Sequence, residues 1–423
     1  MQMSRRHFLG ATSGAATLTG LSSQPAAQAP ADPTTDPLGA RRDFPGADEH
    51  TFLNTAYIGL ISRPVLEAGR AWLDARAHVP HEVGAMLRRT DEVRHAFARL
   101  INASADEVAL LFSTSEGENV VTDALDLKRG DNVVIDDLAY PSTSIIHKRL
   151  EETKGIEVRI VRQRDGGTYV EDFARLVDNK TRLISVAWVS NLNGFRHDMK
   201  GLADLAHAHG ALLYTDAIQA VGMGPVDVRA EGIDFLCCGA YKWLMAGFGV
   251  APFFVRRELL DRVRPDRAGW HVEKSLGNYR YQPFKSAKKY EFASLAFGEV
   301  YLLGAALDYL ERIGLQRIEG HTVALTDRLR AGLVERGFQM FTPPGTRSSI
   351  LSFYVKPSPE AAAEAFEEAR VKISIQRGET DEPAGPEART RVRAAMSLFN
   401  NAADIQRLLG AAEKLRVPEV ARR

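Results

Sequence analysis

The sequence predicts an α/β protein: a large domain built on a mostly parallel sheet, followed by a smaller α+β domain. Two observations lead there. From about residue 90 to residue 255, short apolar runs alternate with amphipathic ones, as strands buried on both faces alternate with covering helices. Past Phe297 the pattern changes to long helical periodicity with a few further strands. At 423 residues the chain is too long for one small core.

Each element follows from its local pattern. Strands are expected at Val108–Phe112, Asn132–Ile135, Glu157–Val161, Arg182–Val189, Leu212–Thr215, Ile233–Cys238 and Gly249–Val255. Helices are expected at Gly117–Leu127, Thr143–Glu152, Val170–Leu176 and Leu202–His209. Beyond these, helical periodicity covers roughly 297–313 and 316–336. The chain then reads as strand Ser349–Tyr354, helix Pro359–Ala369, strand Lys372–Ile375, strand Arg391–Ala395 and helix Ala402–Leu415. Residues 90–295 form the expected large domain, and residues 296–423 the connecting helices and small domain, which residues 51–89 join.

The first thirty residues have a different character. Ser4-Arg5-Arg6-His7-Phe8-Leu9 resembles a twin-arginine export signature; a mild apolar stretch follows, and Ala27-Gln28-Ala29 fits a cleavage site. Residues 1–29 are therefore expected to be a signal peptide and the product periplasmic or otherwise exported. A linker over residues 30–50 precedes the folded part. Lys plus Arg and Asp plus Glu each number 54, so no basic excess points to nucleic acid. Removing residues 1–29 takes two arginines and no acids, leaving 52 against 54, about −2. No other stretch reads as transmembrane. Cys237 and Cys238, the two cysteines, are adjacent in an apolar run and make no metal site alone.

In an open parallel sheet, ligands sit at the carboxyl ends of the strands. Asp216 follows one strand, and Lys242 follows the next after a Gly-Ala-Tyr turn, flanked by Tyr241, Trp243 and Leu244. A lysine in apolar company has a lowered pKa, which suits its amine to Schiff-base chemistry; alone, it would read as a snorkelling strand-end lysine. Pyridoxal 5′-phosphate (PLP) needs such an amine, a carboxylate at its ring nitrogen and backbone amides for its phosphate. Asp216, with Gln219 three residues on, supplies the carboxylate. Ser115, Glu116 and Gly117, opening a helix, supply the amides.

Together these segments resemble the aminotransferase class V family of fold-type I PLP enzymes, which includes cysteine desulfurases, kynureninase and isopenicillin N epimerase. The similarity runs from Leu53-Asn54-Thr55-Ala56 to the last helix. It implies that Lys242 carries the cofactor, Asp216 pairs with the ring nitrogen, and Gln219 contacts the phenolic oxygen. Val189-Ser190-Asn191-Leu192-Asn193-Gly194 matches a family segment that places Asn191 beside the same oxygen or the substrate. By the same resemblance Tyr140 covers the ring and Tyr241 donates to the phosphate. Arg393, in Arg393-Ala394-Ala395-Met396-Ser397-Leu398-Phe399-Asn400, holds the substrate carboxylate. Glu291-Phe292-Ala293-Ser294 stands where the family has E-x-G-T, so Ser294 is the candidate for the partner subunit's phosphate; Trp270 and Thr55 are pocket candidates. A homodimer is also implied.

One departure narrows the chemistry. A cysteine desulfurase takes up sulfur on a mobile cysteine shortly before the carboxylate arginine, and none lies between Ser374 and Arg393. The expected activity is therefore α-carbon chemistry on a small amino acid through an external aldimine. Epimerase or C–S/C–C lyase comes first, with transaminase as the alternative. An exported binding protein that keeps PLP or an amino acid without turnover is the rival from another class.

Overall fold

The computed structural model describes residues 36–269, 273–377 and 390–416. The export signature and Trp270 lie outside the described residues. In chain order the elements begin with α1 (Pro45–Glu49), β1 (Thr51–Phe52), α2 (Arg63–His78), α3 (Val83–Leu100), β2 (Val108–Leu111) and α4 (Thr114–Ala124). Then come β3 (Asn132–Asp136), α5 (Pro141–Lys154), β4 (Glu157–Val161), α6 (Val170–Ala174), β5 (Thr181–Ala187) and α7 (Met199–Ala208). The sheet is completed by β6 (Leu212–Asp216), β7 (Phe235–Cys237) and β8 (Ala251–Val255), after which β9 (Glu273–Ser275) and β10 (Tyr281–Pro283) make a hairpin. The remainder is α8 (Phe297–Ile313), α9 (Leu315–Glu335), β11 (Gln339–Met340), β12 (Ile350–Val355), α10 (Pro359–Glu368), β13 (Val371–Lys372), β14 (Ser374–Arg377), β15 (Thr390–Ala395) and α11 (Ala402–Lys414).

The main sheet has seven strands in the order β2-β8-β7-β6-β5-β3-β4. Strands β3 to β7 run parallel, and β8 is antiparallel to both of its neighbours. This is the fold-type I α/β architecture expected from the sequence. Both faces are covered: Val134, Ile184, Leu213 and Leu236 face one core, and Val133, Leu183, Tyr214 and Cys237 the other. A sheet buried on both sides needs strands apolar throughout, which is why the runs were readable.

Helix α4 starts three residues earlier than the apolar periodicity suggested. Ser113 is its N-cap, its Oγ accepting from Glu116 N at 3.2 Å, so the polar first turn is already helical. The single strand expected at Lys372–Ile375 is two: β13 pairs in parallel with β1, while β14 pairs with β15. The smaller sheet runs β11-β12-β15-β14, and Asn54 bridges to Ala395 at the end of β15. Its apolar face packs Leu351, Phe353 and Val392 against Leu329 of α9 and Leu408 of α11. Helix α3 runs unbroken through residues 89 and 90, and with α2 packs on α8.

Candidate active site

The carboxyl ends of β3, β5, β6 and β7 converge on Lys242 from four loops. Lys242 is 6 % exposed, with Nζ 5.9 Å from the Tyr140 ring centroid and 5.7 Å from that of Tyr241. Burial lowers its pKa to about 8; Asp216 pulls it upward and Arg393 pushes it further down. Asp216 ends β6, 8 % exposed, and its Oδ1 accepts from Ile218 N at 2.9 Å. Burial raises its carboxyl to about 6, the Ile218 amide and Lys242 drawing it down and Glu118 pushing it up.

The turn that carries Lys242 is clamped from two sides. Gly239 N donates to Thr114 Oγ1 at 2.9 Å, tying it to the start of α4. Gly59 N donates to Tyr241 O at 2.9 Å, and a Cβ on Gly59 would stand 2.1 Å from the Lys242 carbonyl oxygen. Only glycine lets the N-terminal segment come so close. Gln219 reinforces this clamp: its Nε2 donates to Ala56 O at 2.9 Å and its Oε1 accepts from Trp243 Nε1 at 2.7 Å. One amide hydrogen of Gln219 then remains for a ligand.

At the start of α4 the three predicted residues separate. Glu116 N is taken by Ser113 Oγ and Gly117 N by Ser113 O, which leaves the Ser115 amide among the free first-turn donors, together with that of Thr114. The Glu116 carboxylate is committed elsewhere: Oε2 accepts from Phe112 N at 2.6 Å and Oε1 pairs with Arg267 at 2.6 Å. Gly117 is small for packing, since a Cβ there would stand 2.6 Å from Cys237 Cβ and Sγ. Tyr241 stacks on Phe248 at 4.1 Å, and burial, with lesser contributions from Tyr140, Asp216 and Tyr57, raises its hydroxyl to about 12. It remains a hydrogen-bond donor at neutral pH.

Arg393 sits on β15, 3 % exposed, with Nη1 donating to Asn191 O at 2.7 Å and Nη2 to Asn54 Oδ1 at 3.4 Å. Among the described residues no carboxylate pairs with it, and Nε has no partner. Burial and the neighbouring Arg391 lower its pKa to about 10. Asn191 Oδ1 and Thr55 Oγ1 are likewise buried without partners. Ser294 is exposed on the approach to α8 and takes no part in this cluster of the same chain. Glu291, three residues before it, instead anchors Arg94 at 2.8 Å and accepts from Leu110 N.

The sequence profile described as Aminotransferase class-V matches residues 63–408. This chain belongs to that family. A probable cysteine desulfurase of Methanothermobacter thermautotrophicus is 30% identical over 88% of this chain and 95% of its own length. The apo cysteine desulfurase of Thermococcus onnurineus superposes with a TM-score of 0.81 at 25% identity, covering 90% of this chain and 98% of that one. A C-DES variant solved with glycine covalently linked to its PLP has a TM-score of 0.80 at 20% identity, covering 89% and 99%.

The chain is thus an enzyme of a PLP-dependent family, and the residues present fit the cofactor. The desolvated Lys242 amine interacts with the buried Asp216 carboxylate, and Gly239 ties the lysine turn to the start of α4, where first-turn amides are free. Arg393, without a carboxylate partner among the described residues, is near enough to Lys242 to lower its pKa, and Asn191 Oδ1 is buried without a partner. Such groups are costly to bury unless a ligand completes them.

Three contributors escaped the sequence reading. Asn54 touches Arg393, Thr114 holds the lysine turn, and Glu118 lies behind Asp216. Asn54 stood within a matched segment, but no local pattern marks it as an arginine partner.

Proposed function

We propose that the enzyme binds PLP on Lys242 and acts as a C–S lyase on a small sulfur-bearing amino acid, expelling the sulfur without accepting it on a thiol of its own. The observation that carries this is the position of the thiols. Cys237 lies in β7 and Cys238 just beyond it, both fully buried, and burial raises both well above the ordinary thiol pKa. A buried neutral thiol is a poor nucleophile and cannot reach out to a leaving sulfur. The relatives named cysteine desulfurases support C–S cleavage, and the buried thiols favour release into solution.

In this reading Arg393 binds the substrate carboxylate with its planar fork, pre-aimed by Asn191 and Asn54. Asp216 would accept from the ring nitrogen, and the amides at the start of α4 and the Tyr241 hydroxyl would hold the phosphate. Tyr140 would cover the ring, and the side-chain amides of Asn191 and Gln219 would donate to the phenolic oxygen. When bound, PLP supplies an electron sink for the charge left at the substrate α-carbon. The Lys242 amine, with its lowered pKa, takes the proton from that carbon and can return it. Loss of the β-substituent from a cysteine-type substrate would leave 2-aminoacrylate, which water converts to pyruvate and ammonia.

Product analysis with the cofactor-loaded enzyme decides. Pyruvate, ammonia and released sulfide or persulfide in equal amounts are expected from cysteine or cystine. Alanine with an enzyme-bound persulfide would make it a desulfurase, a D-amino acid an epimerase, and a 2-oxo acid with aminated cofactor a transaminase. Unchanged amino acids throughout would make it a binder.

The exposed rings Tyr57, Phe112, Tyr140 and Phe248 around the site suit a homodimer face, across which Ser294 would reach the partner's phosphate. Sedimentation tests this, and a fully active monomer would refute it. The Arg5-Arg6 leader suits export, and Arg5→Lys with Arg6→Lys should retain the protein in the cytoplasm.

A further inference from the structure

Helix α4 buries an acid beside residues that bury hydrocarbon. Glu118 is 2 % exposed, near Val120 and Val121 on the covered side of the helix. Its Oε1 accepts from Ser185 Oγ at 2.7 Å and from His147 Nε2 at 3.2 Å, and its Oε2 from Thr143 Oγ1 at 3.0 Å. A carboxylate only accepts, so His147 donates to it from Nε2. His147 is fully buried, and among the described residues its Nδ1 has no partner. The acid is thus held by donors from α5 and β5 in one geometry.

The register of the sheet places this anion relative to the site. Ser185 stands beside Tyr214 and Ala187 beside Asp216, in parallel pairing. Residues two apart on a strand share a face, so Ser185, Tyr214 and Asp216 line the same side as α4. Two residues of strand rise set Ser185, which holds the Glu118 carboxylate, about 7 Å back along the sheet from the row of Asp216. Asp216 also faces Lys242, which in turn faces Arg393. Tyr214 and Cys237 lie between these groups, and burial pushes both well above their ordinary values, so they add no charge. A leucine would fill the Glu118 position without the desolvation penalty of a buried anion.

We propose that Glu118, fixed by Ser185, Thr143 and His147, is a positioning residue that acts through Asp216 to keep a proton on the ring nitrogen of bound PLP. The inference rests on Asp216 meeting that nitrogen. A fixed negative charge one side-chain row back disfavours the state in which Asp216 and the ring together have lost that proton. It does so without touching cofactor or substrate.

The test is charge removal at constant shape. Holoenzyme, Glu118→Gln and Glu118→Asp are titrated across the neutral range by the visible absorbance of the Lys242-bound cofactor. In parallel, PLP affinity is measured on cofactor-free protein by quenching of intrinsic fluorescence. Glu118→Gln should lower the absorbance midpoint by about one pH unit and weaken PLP about tenfold. Glu118→Asp, which keeps the charge, should restore most of both, and far-UV circular dichroism should be unchanged. An unmoved midpoint in Glu118→Gln, or an equal shift in Glu118→Asp, would overturn the proposal. Should Glu118→Gln not fold, Ser185→Ala loosens the same carboxylate and should shift the midpoint in the same direction; no shift there would also overturn it. A wild-type enzyme with no Lys242-dependent band would instead remove the underlying assignment of Asp216.

Discussion

Replacing Arg393 by lysine isolates what a two-pronged cation contributes to substrate binding. Arg393 is 3 % exposed, and its Nη1 and Nη2 already donate to Asn191 O and Asn54 Oδ1, which aims the fork into the site. Nε and the second hydrogens of both Nη atoms are left for an incoming carboxylate. Lysine keeps the charge, offers one compact ammonium and loses the planar pairing. The loss corresponds to one charge-assisted hydrogen bond in a desolvated place, about 1.5–3 kcal/mol. That is roughly a 10- to 150-fold weaker dissociation constant. Titrating the cofactor spectrum with an amino acid measures it, and the amine lacking the carboxylate is the control. Arg393→Lys should weaken the amino acid by this factor and leave the amine within about twofold. Equal weakening of both ligands would show that Arg393 holds the site together rather than the carboxylate.

Further expectations follow from the same geometry. Capture of PLP by cofactor-free protein requires the free-base form of Lys242, so its rate should climb as pH rises through about 8 and then level. Since Asp216 raises that value, Asp216→Asn should move the midpoint lower, and a wild-type midpoint at the ordinary lysine pKa would contradict the burial argument. Gly117→Ala forces a Cβ to within 2.6 Å of Cys237 and should cost about 1–3 kcal/mol in denaturant unfolding. By contrast Gly410→Ala, in α11 with nothing within 4 Å, should stabilise by about 0.5–1 kcal/mol. Cys237→Ala with Cys238→Ala should leave sulfur release intact; its abolition would restore a persulfide-forming role.

The residues most legible in the sequence were those whose positions follow from strand ends. Asp216 ends one buried strand and Lys242 follows the next, and the rule that ligands meet the carboxyl ends of parallel strands brings them together. Arg393 was legible only through its segment, because the smaller sheet has no such rule. What could not be read depends on contacts between distant stretches. Ala56 and Gly59 pack on Gln219 and the lysine turn across more than 160 residues of chain. The two-residue strand β13 exists because β1 pairs with it in parallel, and no pattern in Val371–Lys372 foretells that partner. Glu118 looked like one polar residue of a capped helix, and its meaning came from Ser185 and His147. Glu116, by contrast, was read for its position at the helix start, while its side chain serves the cap and Arg267.

Borohydride reduction of the enzyme as isolated with PLP, followed by peptide mass spectrometry, bears most directly on the whole account. A single phosphopyridoxyl adduct should appear on Lys242, and its yield should fall to nothing in Lys242→Ala. An adduct on another lysine, or none in folded protein supplied with PLP, would contradict it.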